Sequence, residues 1–78
     1  MTNTTLLQQL IRDSGLKKVF IAERLGMSPA NFHNYLIGRY AFKESHMNVL
    51  CELLRIENPD LKEALFYADE VDKYSTGG

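Results

Sequence analysis

Few side chains in this 78-residue chain can do covalent or metal chemistry: one thiol, Cys51, two imidazoles, His33 and His46, and ten carboxylates. A thiolate acts as nucleophile or metal ligand where a basic neighbour lowers its pKa. Cys51 instead falls on the apolar stripe of an expected helix, where cysteine behaves as a small hydrophobe. His33 and His46 are separated by a loop and lack the third protein ligand that a zinc site takes. No carboxylate pair, nucleophile–base set or glycine-rich phosphate loop stands at the spacing its chemistry needs. The sequence therefore predicts no catalysis, no metal and no cofactor. A lone cysteine also excludes an internal disulfide framework and fits a reducing compartment. Met1–Thr5 places no basic segment ahead of an apolar one, and no apolar run approaches the ~18 residues of a membrane span, so the expected location is cytoplasmic. Asn3-Thr4-Thr5 matches the N-glycosylation pattern, which carries little weight without an export signal.

What remains is charge and polarity on a small fold. With 45% apolar and 24% charged residues, one domain is expected over residues 1–74 with a flexible tail at 75–78. A typical domain takes about 100–150 residues, and two cores would not fit. A chain this short buries only about 60–65% of its unfolded surface, so it needs an efficient core or a partner subunit. The net charge of −1 hides a division at His46. Residues 1–46 carry six cations (Arg12, Lys17, Lys18, Arg24, Arg39, Lys43) against three anions (Asp13, Glu23, Glu44), a net +3. Residues 47–78 carry three cations (Arg55, Lys62, Lys73) against seven anions (Glu52, Glu57, Asp60, Glu63, Asp69, Glu70, Asp72), a net −4. Such asymmetry suggests a basic half that faces an anion and an acidic half turned away from it; the alternative is two solvated faces of a neutral domain.

The elements that must position these charges all read as helices. Leu6, Leu7, Leu10 and Ile11 recur at three- and four-residue spacing, which predicts a helix from about Thr4 to Ser14 closed by Gly15. A second is expected from Lys17 to Leu25, with Ile21 and Leu25 on one face, Val19 and Phe20 beside them, and Gly26 as the stop. Ser28-Pro29 starts a third with a serine cap and a proline at the first helical position, running to about Ile37. Gly38 ends it, Arg39–Lys43 form a loop, and a fourth helix covers about Glu44 to Arg55, turning Met47, Leu50, Leu53 and Leu54 inward. Asn58-Pro59 opens a fifth that carries its apolar stripe through Leu61, Leu65, Phe66, Ala68 and Val71 to about Lys73. No window alternates with period two, so the expected fold is all-α with five short helices.

Between Lys18 and Ile37 two helices are joined by only Gly26-Met27-Ser28. So tight a joint requires positive φ at the turn, which Gly26 allows, and a small residue at the crossing, which Ala22 supplies. Ile21, Leu25, Met27, Phe32 and Tyr35 then fall where a core would want them. Leu16-Lys17-Lys18-Val19-Phe20-Ile21-Ala22-Glu23-Arg24-Leu25-Gly26-Met27-Ser28, followed by Tyr35-Leu36-Ile37-Gly38-Arg39, resembles the helix-turn-helix of the Cro/CI-type phage repressor family. The resemblance covers roughly residues 5–56 and implies a compact five-helix, lambda-repressor-like domain. It further implies a sequence-specific, nucleoid-associated transcriptional regulator of phage or bacterial type that binds a symmetric double-stranded operator as a homodimer.

Carried over by position, the resemblance implies base readout from Ser28, Pro29, Ala30, Asn31, His33 and Asn34. Asn34 is the strongest single candidate, because an asparagine amide can pair with both N6 and N7 of adenine, and the Ala30 methyl can touch a thymine methyl. Ser28 or Asn31 could equally bind phosphate, and His33 could reach a base or a backbone oxygen. Phosphate contacts are implied for Lys17, Lys18, Arg39, Tyr40 and Lys43. The sequence departs from the family's pattern at Lys18, where an amide is usual, at Phe20, at Leu36 and at Phe42. It departs also at Pro29-Ala30, which offer no hydrogen-bonding side chain.

The fifth helix is expected to supply the dimer surface through Leu61, Leu65, Ala68 and Val71, whose spacing makes a seam for a partner helix; folding back onto its own core is the alternative. Two other functions fit the sequence. An antitoxin would hold a basic toxin with its acidic C-terminal part, and a protein-interaction adaptor would dock a partner on Leu36, Ile37 and Phe42.

Overall fold

The computed structural model describes residues 2–67. Five helices follow in chain order: α1 (Thr4–Ser14), α2 (Lys18–Arg24), α3 (Pro29–Leu36), α4 (Glu44–Leu53) and α5 (Pro59–Phe66), and the described residues hold no strand. The fold is all-α. None of these helices is long and apolar enough to cross a membrane.

Three of the helices, α1, α3 and α5, begin where a side-chain oxygen supplies a partner for a free amide, and α2 has no such cap. The side chains of Asn3, Ser28 and Asn58 accept from the backbone N–H of Leu6, Asn31 and Asp60 at 3.0, 3.1 and 2.8 Å, the oxygen acceptors that helix starts prefer. Pro29 and Pro59 occupy first-turn positions where no amide hydrogen is missed.

Three helices end in the same way. At α2 the Gly26 and Met27 amides donate to the Glu23 and Ala22 carbonyls, at α3 Gly38 and Arg39 donate to Tyr35 and Asn34, and at α4 Arg55 and Ile56 donate to Glu52 and Cys51. This paired closure needs a left-handed residue just past the helix. Gly26 and Gly38 fill that place at φ 73° and 85°, whereas α4 uses Arg55 at φ 55°. Arg55 therefore lies beyond the helix that the sequence extends to it, and α4 stops at Leu53.

The core draws on every helix: Leu7 and Ile11 from α1, Ile21 and Ala22 from α2, Phe32 and Leu36 from α3, Leu50 from α4, Leu65 and Phe66 from α5, with Phe42 and Ile56 from the connections. Each large side chain buried here contributes about 1.5–3 kcal/mol. α2 packs against α3 and α4, and α1 against α3 and α5. The Asn3 amide donates to the Leu65 carbonyl at 2.6 Å, which fastens the start of α1 to the end of α5.

Four expectations need correction. Leu65, expected on a seam for a partner helix, is 0% exposed: α5 folds back and seats Leu65 and Phe66 in its own domain, leaving Leu61 half-buried. α5 also closes at Phe66 rather than near Lys73, because Tyr67 leaves helical geometry at φ −125° and its hydroxyl donates to Met47 Sδ at 3.8 Å. Ala68, Val71, Lys73 and the tail at 75–78 lie outside the described residues. Leu36 and Phe42, expected on a docking patch, are 1% and 6% exposed, because α3 and its following loop turn them onto α1 and α5. Val19 and Phe20, expected beside the inner face of α2, are 55% and 40% exposed; the helical period turns them away from the face that carries Ile21, Ala22 and Leu25.

Candidate nucleic-acid interface

α3 gives the core Phe32 and Leu36, one turn apart, and this fixes what the rest of the helix can present. Ser28, Pro29, Ala30 and His33 are exposed, and Asn31 and Asn34 are half-buried. Ser28 does two jobs. Its Oγ accepts from the Asn31 amide as the helix cap, and its own hydroxyl hydrogen is left to donate elsewhere. The first turn of α3 contains no acidic side chain, so nothing of its own neutralises the positive end of the helix dipole.

The polypeptide after α3 is tied closely to that helix. The Arg39 amide donates to the Asn34 carbonyl at 2.9 Å, so one candidate phosphate residue is fixed by the backbone of the leading candidate base reader. Gln8 of α1 donates from Nε2 to the Leu36 carbonyl at 3.1 Å and satisfies an end of α3 that would otherwise lack a partner. Tyr35 is the centre of an aromatic cluster, with its ring 5.5 Å from Tyr40, 5.1 Å from Phe42 and 5.4 Å from His46. The cluster pins the loop, and Arg39, Tyr40, Ala41 and Lys43 are left facing solvent. Thr2, Thr4, Tyr35, Gly38, Arg39, Tyr40 and Ala41 line a hollow of about 200 Å³ beside it.

The structure thus brings Asn34, Arg39, Tyr40 and Lys43 onto α3 and the loop that it anchors. Lys17 and Lys18 occupy a separate position: both are exposed, Lys17 as the residue capping α2 and Lys18 as its first residue, at the end of α2 away from the turn. α2 and α3 are held in contact across Gly26, whose φ of 73° is the positive value the short joint requires.

Two features escaped the sequence reading. His46, weighed there only as a metal ligand, accepts from the Lys43 amide through Nδ1 at 3.2 Å. Its spacing three residues after the helix cap is a readable signal, since residues at that position commonly reach back to the cap amide. Burial, and then the charge of Lys43, holds the His46 pKa below its ordinary 6.5. The cluster around Tyr35 has no comparable signal, because it joins residues from three elements. Cys51 behaves as expected of a packed thiol: it is half-buried against the core, and burial pushes its pKa up against a smaller opposing effect of Lys62.

Compared with protein-family models, curated proteins and solved structures, the chain matches none of them.

Proposed function

We propose that this protein is a sequence-specific, double-stranded DNA-binding transcriptional regulator that lays α3 in the major groove. The observation that carries the reading is the division of labour along α3: Phe32 and Leu36 anchor it, while Ser28 and His33 are exposed and Asn31 and Asn34 half-buried, with Arg39, Tyr40 and Lys43 exposed on the adjoining loop. A helix so mounted can enter a groove about 12 Å wide with its amides at the base edges and the flanking cations on phosphates. Asn34 and Asn31 read bases, with Ser28, Ala30 and His33 beside them and Pro29 packing against the groove wall. Lys17, Lys18, Arg39, Tyr40 and Lys43 hold the backbone. On this reading α2, the turn and α3 are a helix-turn-helix, the chain needs no cofactor and performs no catalysis, and it works where the nucleoid is. A symmetric operator takes a second copy, whose contact surface excludes Leu65.

Selection of bound sequences from random duplex DNA, followed by affinity measurements over a range of salt, tests the proposal. Enrichment of one motif, with affinity falling steeply as salt rises, is the expected outcome. No enrichment, together with indifference to duplex DNA at low salt, rejects it.

A further inference from the structure

The loop that carries Arg39 and Lys43 ends against one imidazole, that of His46. His46 sits at the start of α4 and reaches back to the loop through its Nδ1. Its ring meets Tyr35 of α3 at 5.4 Å and 80°, and Phe42 of the loop at 6.2 Å and 84°. Phe42 meets Phe66 of α5 at 6.5 Å, so the cluster joins three helices to one loop. The groups on this ring are therefore Lys43 at its own helix start, Tyr35 from α3, and Phe42 from the loop.

We infer that His46 is the positioning residue for the end of the 39–43 loop, fixing the Lys43 amide as a neutral ring and letting that amide go on taking up a proton. The chemistry is direct. Only a neutral imidazole protonated at Nε2 can accept at Nδ1; the imidazolium donates from both nitrogens and places a second positive charge beside Lys43. Burial beside a cation already disfavours that charged form. The folded state therefore binds the proton less readily than the unfolded chain. The contribution of this contact is complete above about pH 6.5 and is lost as pH falls through the lower folded value. That the loop binds phosphate rests on the function proposed above; the clamp itself does not.

The test is nitrogen-detected NMR of the imidazoles together with the Lys43 amide, with thermal midpoints of wild type, H46Q and H33N across about pH 7.5 to 5. Glutamine at this helix position accepts the same amide hydrogen without titrating, and H33N separates the effect of the other histidine. Three results are expected: an Nε2–H tautomer at His46, a Lys43 amide shift that follows its titration, and an acid loss of midpoint that H33N shares and H46Q lacks. An Nδ1–H tautomer, a Lys43 amide indifferent to His46, or an H46Q protein as acid-sensitive as wild type overturns it. Affinity for a random-sequence duplex is measured on the same samples. A clamp seen by NMR in a protein that binds no duplex at any of these pH values supports the inference and rejects only the DNA reading.

Discussion

α3 and α5 are built to the same local plan and present opposite surfaces. Each spans eight residues, opens on a short polar cap followed by proline, and gives two side chains to the core. Around its anchors α3 carries the uncharged amides Asn31 and Asn34 and the imidazole of His33, with no acid in its first turn. α5 places Asp60 in its first turn and Glu63 one turn on. A carboxylate at a helix start already complements the dipole there and repels a phosphate. The lesson is that capping and anchoring decide only that a helix forms and where it sits; its partner is decided by the residues that are neither cap nor anchor.

The largest expected effects should not distinguish the two helices. Phe32→Ala in α3 and Leu65→Ala in α5 each empty a fully packed site, at about 3–5 and 2–5 kcal/mol respectively, and urea unfolding of the two variants measures this directly. A Leu65→Ala protein of unchanged midpoint that instead sediments as a smaller species would break the comparison by returning α5 to a subunit interface.

Gly26→Val comes next, at about 1–3 kcal/mol, since a β-branched residue at positive φ is strained. A Cβ at Gly26 would meet nothing within 4 Å beyond its chain neighbours, so the cost comes first from backbone strain. A thermal melt that matches wild type would show that the α2–α3 joint has another way to turn.

On DNA the base-reading face of α3 should part company with the phosphate contacts around it. Asn34→Ala is expected to lose about 1–3 kcal/mol on the preferred duplex and little on random sequence. Lys18→Ala should weaken both alike and shallow the slope of log affinity against log salt by about 1 per subunit. Equal losses on both duplexes for Asn34→Ala would remove α3 from base readout and erase the contrast with α5.

The smallest effect is a gain. Arg55→Gly should stabilise the protein by about 0.5–1 kcal/mol, because relief of the left-handed strain of an L-residue exceeds the added freedom of glycine in the unfolded chain. α4 would then close as α2 and α3 do. Calorimetry that shows no rise in midpoint would indicate that Arg55 recovers the strain through contacts of its side chain.

Much of this was legible along the chain. α1 begins and ends where its apolar spacing and Gly15 say it should, and Ser28-Pro29 and Asn58-Pro59 open helices as written. These are local matters, settled by which side chain can reach which amide within four residues. The end of α4 was not legible, because a positive φ at Arg55 has no marker in the residue type. Within the candidate interface, exposure of the α3 face follows from the period of Phe32 and Leu36, whereas the support beneath Arg39 and Lys43 comes from Tyr35, Phe42 and His46 and could not be read.

By itself the sequence determined that the chain is helical, where most helices start, and that its basic and acidic residues fall in different halves. These follow from periodicity, caps and counting, which need no knowledge of neighbours. Only the tertiary structure decided which way a symmetric choice fell. The stripe on α5 could have faced a second copy or its own domain, and the Asn3–Leu65 hydrogen bond and the packing of Phe66 on Phe42 turned it inward. An apolar face states that it must be covered; what covers it depends on distances between residues far apart in the chain.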